Sequence, residues 1–109
     1  MSVKVIVMYP TPKDLAAFEH AYSSEHIPMA GQIFKAAGAT KAVFTKIVAA
    51  LGPQPIHRIA EIYFPTIERL QACAASRDGQ AVLAHAQRIS NGGPPIVLVA
   101  EEEVVPLGG

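Results

Sequence analysis

The sequence has no tryptophan, one cysteine, and only four Phe and three Tyr as aromatics. It has no excess of either charge, with nine Lys and Arg against nine Asp and Glu. Each shortage excludes something. A lone Cys73 rules out an internal disulfide framework and a cysteine-based zinc cluster. A net charge of zero and a pI near 6.9 lack the basic excess of a nucleic-acid binder, so no nucleic-acid partner is expected. No apolar run approaches the ~20 residues of a membrane span, so no membrane partner is expected either. The start, Met1-Ser2-Val3-Lys4, has neither the charged region nor the long apolar stretch of a signal peptide. With one free thiol, a cytoplasmic location is the expectation.

Half of the residues are hydrophobic and 17% are charged, which is the composition of a chain that folds. A length of 109 residues predicts one domain over 1–109, burying roughly 60–70% of its unfolded surface. Eighteen alanines predict a core of mostly small aliphatic groups.

Val3 to Tyr9 (VKVIVMY) is rich in β-branched residues and reads as a strand closed by Pro10. Lys13 to about His26 reads as a helix, with Thr11 or Asp14 as N-cap. At 100° per residue, Leu15, Phe18, Tyr22, His26 and Met29 share an inward stripe. Pro28 predicts a kink or an end near Ile27, with a further short helical turn over 31–37. Thr40 to Ala50 and His57 to Phe64 read as strands separated by Gly52-Pro53-Gln54-Pro55. Thr66 caps a short helix, and Ser76 caps another that runs to about Ser90. Asn91-Gly92-Gly93-Pro94-Pro95 is a loop, Ile96 to Glu101 is the last strand, and 104–109 is a loose tail.

The order β-α-β-β-α-β predicts an α+β, ferredoxin-like fold: a four-stranded antiparallel sheet with its helices on one face. The first and last strands are apolar on both sides. A sheet with one wet face would alternate. The second face is therefore expected to be covered by another subunit, making a homodimer with its sheets face to face.

These segments resemble the EthD family of the dimeric α/β-barrel superfamily. The resemblance rests on VKVIVMYP, AYSSEHIPMA, HRIAEIYFPTIERLQACAAS and SRDGQAVLAHAQRISNGG, with the final strand, and covers Val3 to Glu102. Its most specific parts are Glu25-His26-x-Pro28 and the run Arg58 to Glu61. His57 stands where an aromatic such as tyrosine is common in the family. The resemblance implies a dimeric α/β barrel. It implies a function near degradation of ethyl tert-butyl ether beside a cytochrome-type monooxygenase system, with family labels leaning towards oxidoreductase. The superfamily includes cofactor-free oxygenases, lactone isomerases, polyketide cyclases and haem enzymes, so the fold alone leaves the chemistry open.

His26 is the leading candidate for chemistry. It lies on the buried stripe one turn after Tyr22, where Pro28 interrupts regular packing, and an imidazole exchanges protons near neutral pH. Its structural alternative is a core histidine bonded to backbone. Tyr22 is the expected assistant. Glu61 sits mid-strand among apolar residues, where a carboxylate must be paired or protonated. Period-two alternation places His57, Ile59, Glu61 and Tyr63 on the face away from the helices. Glu61, Tyr63, His57, His85 and Met8 are the expected substrate contacts, with an ion pair across the dimer as the alternative role for Glu61. No metal site is expected from four histidines without ligand spacing, and no cofactor is expected. Two functions remain. One is a cofactor-independent oxidoreductase, isomerase or cyclase acting on a small hydrophobic or aromatic molecule. The other is a non-catalytic accessory or carrier protein for such a ligand or for a partner enzyme.

Overall fold

The computed structural model of the chain describes residues 2–108. Met1, the first residue of the start read for a signal peptide, and Gly109, at the end of the predicted tail, lie outside the described residues. The β-branched and aliphatic runs become β1 (Ser2–Pro10), β2 (Lys41–Lys46), β3 (Ile56–Phe64) and β4 (Ile96–Glu102). Every neighbouring pair is antiparallel, in the order β2-β3-β1-β4. This is the ferredoxin-like arrangement expected from the sequence. Strand β2 stops at Lys46, short of the predicted Ala50.

The helices are α1 (Leu15–Ala21), α2 (Ile27–Ala36), α3 (Ile67–Ala75) and α4 (Arg77–Ile89). Asp14, Thr66 and Ser76 cap α1, α3 and α4, each accepting a hydrogen bond from a backbone N–H three residues on. The corner between α3 and α4 is tight: a Cβ on Gly79 would lie 1.9 Å from the Cys73 carbonyl oxygen. Among the described residues no helix is long and apolar enough to cross a membrane.

The first helix differs from expectation in an informative way. It does not end at Pro28. A π-helical turn over Tyr22–His26 joins α1 to α2, with the Ile27 N–H bonded to the Tyr22 carbonyl. The wider turn removes the clash a proline makes with the carbonyl four residues back, so the chain stays helical through Pro28. The inserted residue also rotates everything beyond it. Ala30 is buried where Met29 was expected, and Leu15, before the turn, is 54% exposed.

On the helix side, Val3, Val5, Val7 and Tyr9 of β1 pair with Phe64, Ile62, Ala60 and Arg58 of β3. Ala60, Ile62, Phe64, Leu70 and Cys73 form one buried cluster. Tyr9, Phe18, Tyr22 and Ala86 form another. The register then slips: Tyr9 pairs with Arg58 but Pro10 pairs with Ile56. The bulge leaves His57 without a partner on β1 and overrides the period-two alternation. His57 therefore turns towards Glu19 on the helix side, not onto the face of Glu61 and Tyr63.

Candidate functional site

The inward face of α1, the π turn and α4 carries most of the molecule's buried polar groups. His26 is 4% exposed and His85 is 8% exposed. Their Nδ1 atoms lie 2.8 Å apart. On its other side, the His26 Nε2 lies 3.2 Å from the Tyr9 hydroxyl. Tyr22 stacks on the imidazole, with ring centres 5.7 Å apart and planes within 15°. Burial pushes His26 down from its ordinary 6.5 to about 4, and nearby His85 adds to the shift. The ring is therefore neutral at physiological pH, with one ring nitrogen able to accept.

His26 and Tyr9 line a cavity of about 180 Å³ between the sheet and the helices. Its walls are apolar, with Val7, Phe34, Ile62, Leu70 and Val82 among them; Cys73 and Gln80 are the other lining residues with polar side chains. Four lining residues are themselves exposed to solvent: Val97 and Val99 on β4, and Ala74 and Gln80 near the α3–α4 corner. They mark the opening. The volume slightly exceeds that of an apolar cavity able to hold benzene, about 150 Å³. A single ring or a short branched chain fits.

Tyr22 does not line this cavity. Its hydroxyl is buried without a hydrogen-bond partner, and burial raises it to about 12. An unpartnered buried hydroxyl costs about 1–3 kcal/mol in desolvation. Tyr22→Phe is thus expected to leave the fold as stable as before or to stabilise it by about 1 kcal/mol, read from urea denaturation. A loss of stability would reveal a partner for the hydroxyl.

The remaining sequence candidates form two other groups. Glu61 pairs with Lys4, and Lys4 also reaches Glu102 at 2.9 Å. The Tyr63 hydroxyl donates to Glu102 at 2.6 Å. The register puts Lys4, Glu61 and Tyr63 with Ile6 and Met8 on the face away from the helices, so neither Glu61, Tyr63 nor Met8 touches the cavity.

His57 belongs to the third group. Glu19 accepts from Arg58 at 2.8 and 3.1 Å and lies 3.2 Å from the His57 Nε2. The Arg58 guanidinium in turn sits over the Tyr22 ring at 5.0 Å. Arg58 is the main cause that holds the Glu19 carboxyl down at about 2, against an ordinary 4.5. A depressed carboxylate contributes stability above its unfolded value, and that contribution is lost as pH falls from 4.5 towards 2. Discounted for solvent screening, it amounts to about 1–2 kcal/mol. Glu19→Gln should remove this low-pH slope in denaturation midpoints; an unchanged slope would place the acid sensitivity elsewhere.

Sequence reasoning did not place Tyr9 among the site residues and missed the contact between His26 and His85. The alternation of β1 was a signal for Tyr9, because it put the ring on the same face as Val3, Val5 and Val7. The His26–His85 contact joins residues 59 apart, and neither helical projection alone could show it.

Fold and site together define a ferredoxin-like α+β protein with a histidine-edged apolar cavity. The chain belongs to the EthD family: the EthD domain matches residues 11–91. An uncharacterized 11.0 kDa protein from the thcB-thcC intergenic region of Rhodococcus erythropolis is 30% identical over 107 residues, covering 94% of this chain and 98% of that protein. An EthD family protein from Bacillus halodurans C-125 superposes with a TM-score of 0.85 at 28% identity, covering 94% of this chain and all (100%) of the other. A dimeric ferredoxin-like protein of unknown function from Jannaschia sp. CCS1 gives a TM-score of 0.75 at 14% identity, covering 94% and 100% of the two chains. At that identity the likeness shows the fold.

Proposed function

We propose that this EthD-family protein is a small cofactor-independent enzyme that moves a proton on an apolar molecule held in the cavity. The observation that carries the reading is the neutral His26 imidazole at the wall of an otherwise apolar chamber, bonded to the Tyr9 hydroxyl. A general base must be unprotonated and within reach of the proton it takes. His26 meets the first condition through burial and the second through its place on the wall. Tyr9 supplies an O–H at the same edge, able to donate to a carbonyl or enolate oxygen. Apolar walls exclude water and strengthen both interactions. The chemistry that suits this pair is removal of a proton next to a carbonyl, leading to isomerisation, cyclisation or reaction of the carbanion with oxygen.

The working unit is a homodimer closed through the free faces of the two sheets. The apolar free face supports this, and the relative from Jannaschia is itself a dimeric protein. A buried, unpaired Cys73 suits the reducing cytoplasm.

The test is exchange of the α-hydrogens of cyclohexanone in D2O, followed by proton NMR. Cyclohexanone is close to the cavity in size and carries one carbonyl. Exchange above the buffer rate supports the enzyme. Saturable binding without exchange would make the protein a carrier of small apolar ligands.

A further inference from the structure

The Nδ1–Nδ1 contact between His26 and His85 has only one favourable state, with a single proton between the two nitrogens. The planes of the two rings agree within 5°, and their centres are 5.1 Å apart. That is the spacing of two imidazoles set edge to edge through an N···N contact of 2.8 Å. The rings therefore share a hydrogen bond rather than a stack. Beyond His85, the Glu25 carboxylate lies 3.7 Å from its Nε2. Glu25 is exposed at the surface, so a small rotation of its side chain closes that gap.

We infer that Glu25, His85, His26 and Tyr9 form one polarised proton relay that joins solvent to the cavity. The inference rests on the reading of His26 as the base. The carboxylate end decides the direction, because the Tyr9 hydroxyl can donate or accept. A carboxylate only accepts, so it requires a hydrogen on the His85 Nε2. With its one ring hydrogen on Nε2, His85 has a bare Nδ1, which accepts from the His26 Nδ1–H. His26, which lines the cavity, is left with a bare Nε2 that accepts from the Tyr9 O–H. The opposite polarity would aim the His85 Nε2 lone pair at the Glu25 carboxylate. The remaining neighbours agree with this order. The Tyr22 ring covers one face of His26, and the charges of Arg58 and Glu19 lie beyond that ring, bonded to each other.

The relay balances. When the Tyr9 O–H turns from the His26 Nε2 to a substrate oxygen, a substrate proton passes to the freed Nε2, the His26 Nδ1 proton passes to the His85 Nδ1, and the His85 Nε2 proton passes to Glu25. One proton leaves the cavity, and each imidazole finishes with as many protons as it began, its tautomer reversed. Returning a proton to the product along the same path restores the first arrangement. His85 and Glu25 act here as positioning residues. They hold His26 in the tautomer whose lone pair meets the substrate, and they spare a buried imidazolium.

The experiment uses the full chain labelled with nitrogen-15 at histidine, without ligand. Two-bond proton–nitrogen spectra at neutral pH report which ring nitrogens carry hydrogen. The expected result is protonated Nδ1 on His26 and protonated Nε2 on His85. The reverse assignment, or an even mixture on both rings, overturns the relay. His85→Phe should reduce the Nδ1–H share of His26 to a minor fraction. His85→Asn, whose amide oxygen can take the place of Nδ1, should restore it. A merely space-filling role for His85 would leave the tautomer unmoved. Should His85→Phe fail to fold, Glu25→Ala on the surface still decides: the His85 N–H should exchange with solvent at least several-fold more slowly, and an unchanged rate overturns the relay. None of these spectra needs turnover. Reversed tautomers beside ketone exchange that depends on His26 would discard the relay and keep the enzyme; the converse would do the opposite.

Discussion

His26→Ala is expected to cut proton exchange on a bound ketone by 10²–10⁴-fold, the usual worth of a positioned acid or base. The same substitution should alter the dependence of stability on pH. His26 is held near 4 in the folded chain and returns to 6.5 on unfolding. Between those values the unfolded state binds the extra proton, so stability rises with pH. The contribution is fully present above 6.5 and is lost as pH falls towards 4. At 1.36 kcal/mol per unit, the loss across that window is about 3 kcal/mol. His26→Ala should flatten urea denaturation midpoints over this range while leaving the lower window of Glu19 intact. His26→Gln should flatten the profile as well, keep more of the hydrogen bonding and still lack proton transfer. A variant that unfolds at neutral pH without any selective loss of exchange would make His26 a structural residue. It would shift the function towards the carrier reading.

The sequence foretold the order of strands and helices because local signals agreed with one another. Asp14, Thr66 and Ser76 are caps by residue type, and β1 and β3 carry the alternation that packs them against the helices. What stayed hidden has two physical sources. One is the extra residue. The π turn at Tyr22–His26 and the bulge at His57 each insert one position into a regular repeat. The π turn moves the residues that follow onto another face, and the bulge moves His57 itself, which misplaced Met29 and His57. The other source is contact across distance. Glu61 could be read as needing a partner from its apolar neighbours, but Lys4 and Glu102 could be named only once three strands were in register. His26 and His85 meet because α4 packs beside the π turn, and their separate helical wheels hold no trace of it. The candidate site was thus legible as one histidine and illegible as a chain of groups.

Ile6→Asp is expected to convert the protein from a dimer to a folded monomer. Ile6 pairs with Glu61 on one side and Leu98 on the other, at the middle of the free face of the sheet. Val43, Ile96 and Leu98 on that face are 37%, 44% and 45% exposed in the single chain. Ile59 and Met8 extend the same apolar surface. A stable interface buries about 1,200–2,000 Å² in total, so sheets meeting face to face would cover this patch on both protomers. The charged group beside it does not oppose closure. Lys4, Glu61 and Glu102 are already paired within each protomer, and the Tyr63 hydroxyl satisfies Glu102 further. Symmetry then amplifies the substitution, because each dimer would bury two new carboxylates among aliphatic side chains. An uncompensated buried charge costs about 3–5 kcal/mol, and about 4 kcal/mol already weakens association a thousand-fold. Sedimentation velocity at micromolar concentration should show the unmodified protein as a dimer and Ile6→Asp as a monomer with native helix content. The cavity lies on the other side of the sheet, so cyclohexanone exchange should survive in the monomer. An unmodified protein that sediments as a monomer would refute the interface. A variant that loses exchange together with its partner would show that the cavity needs the second subunit to hold its shape.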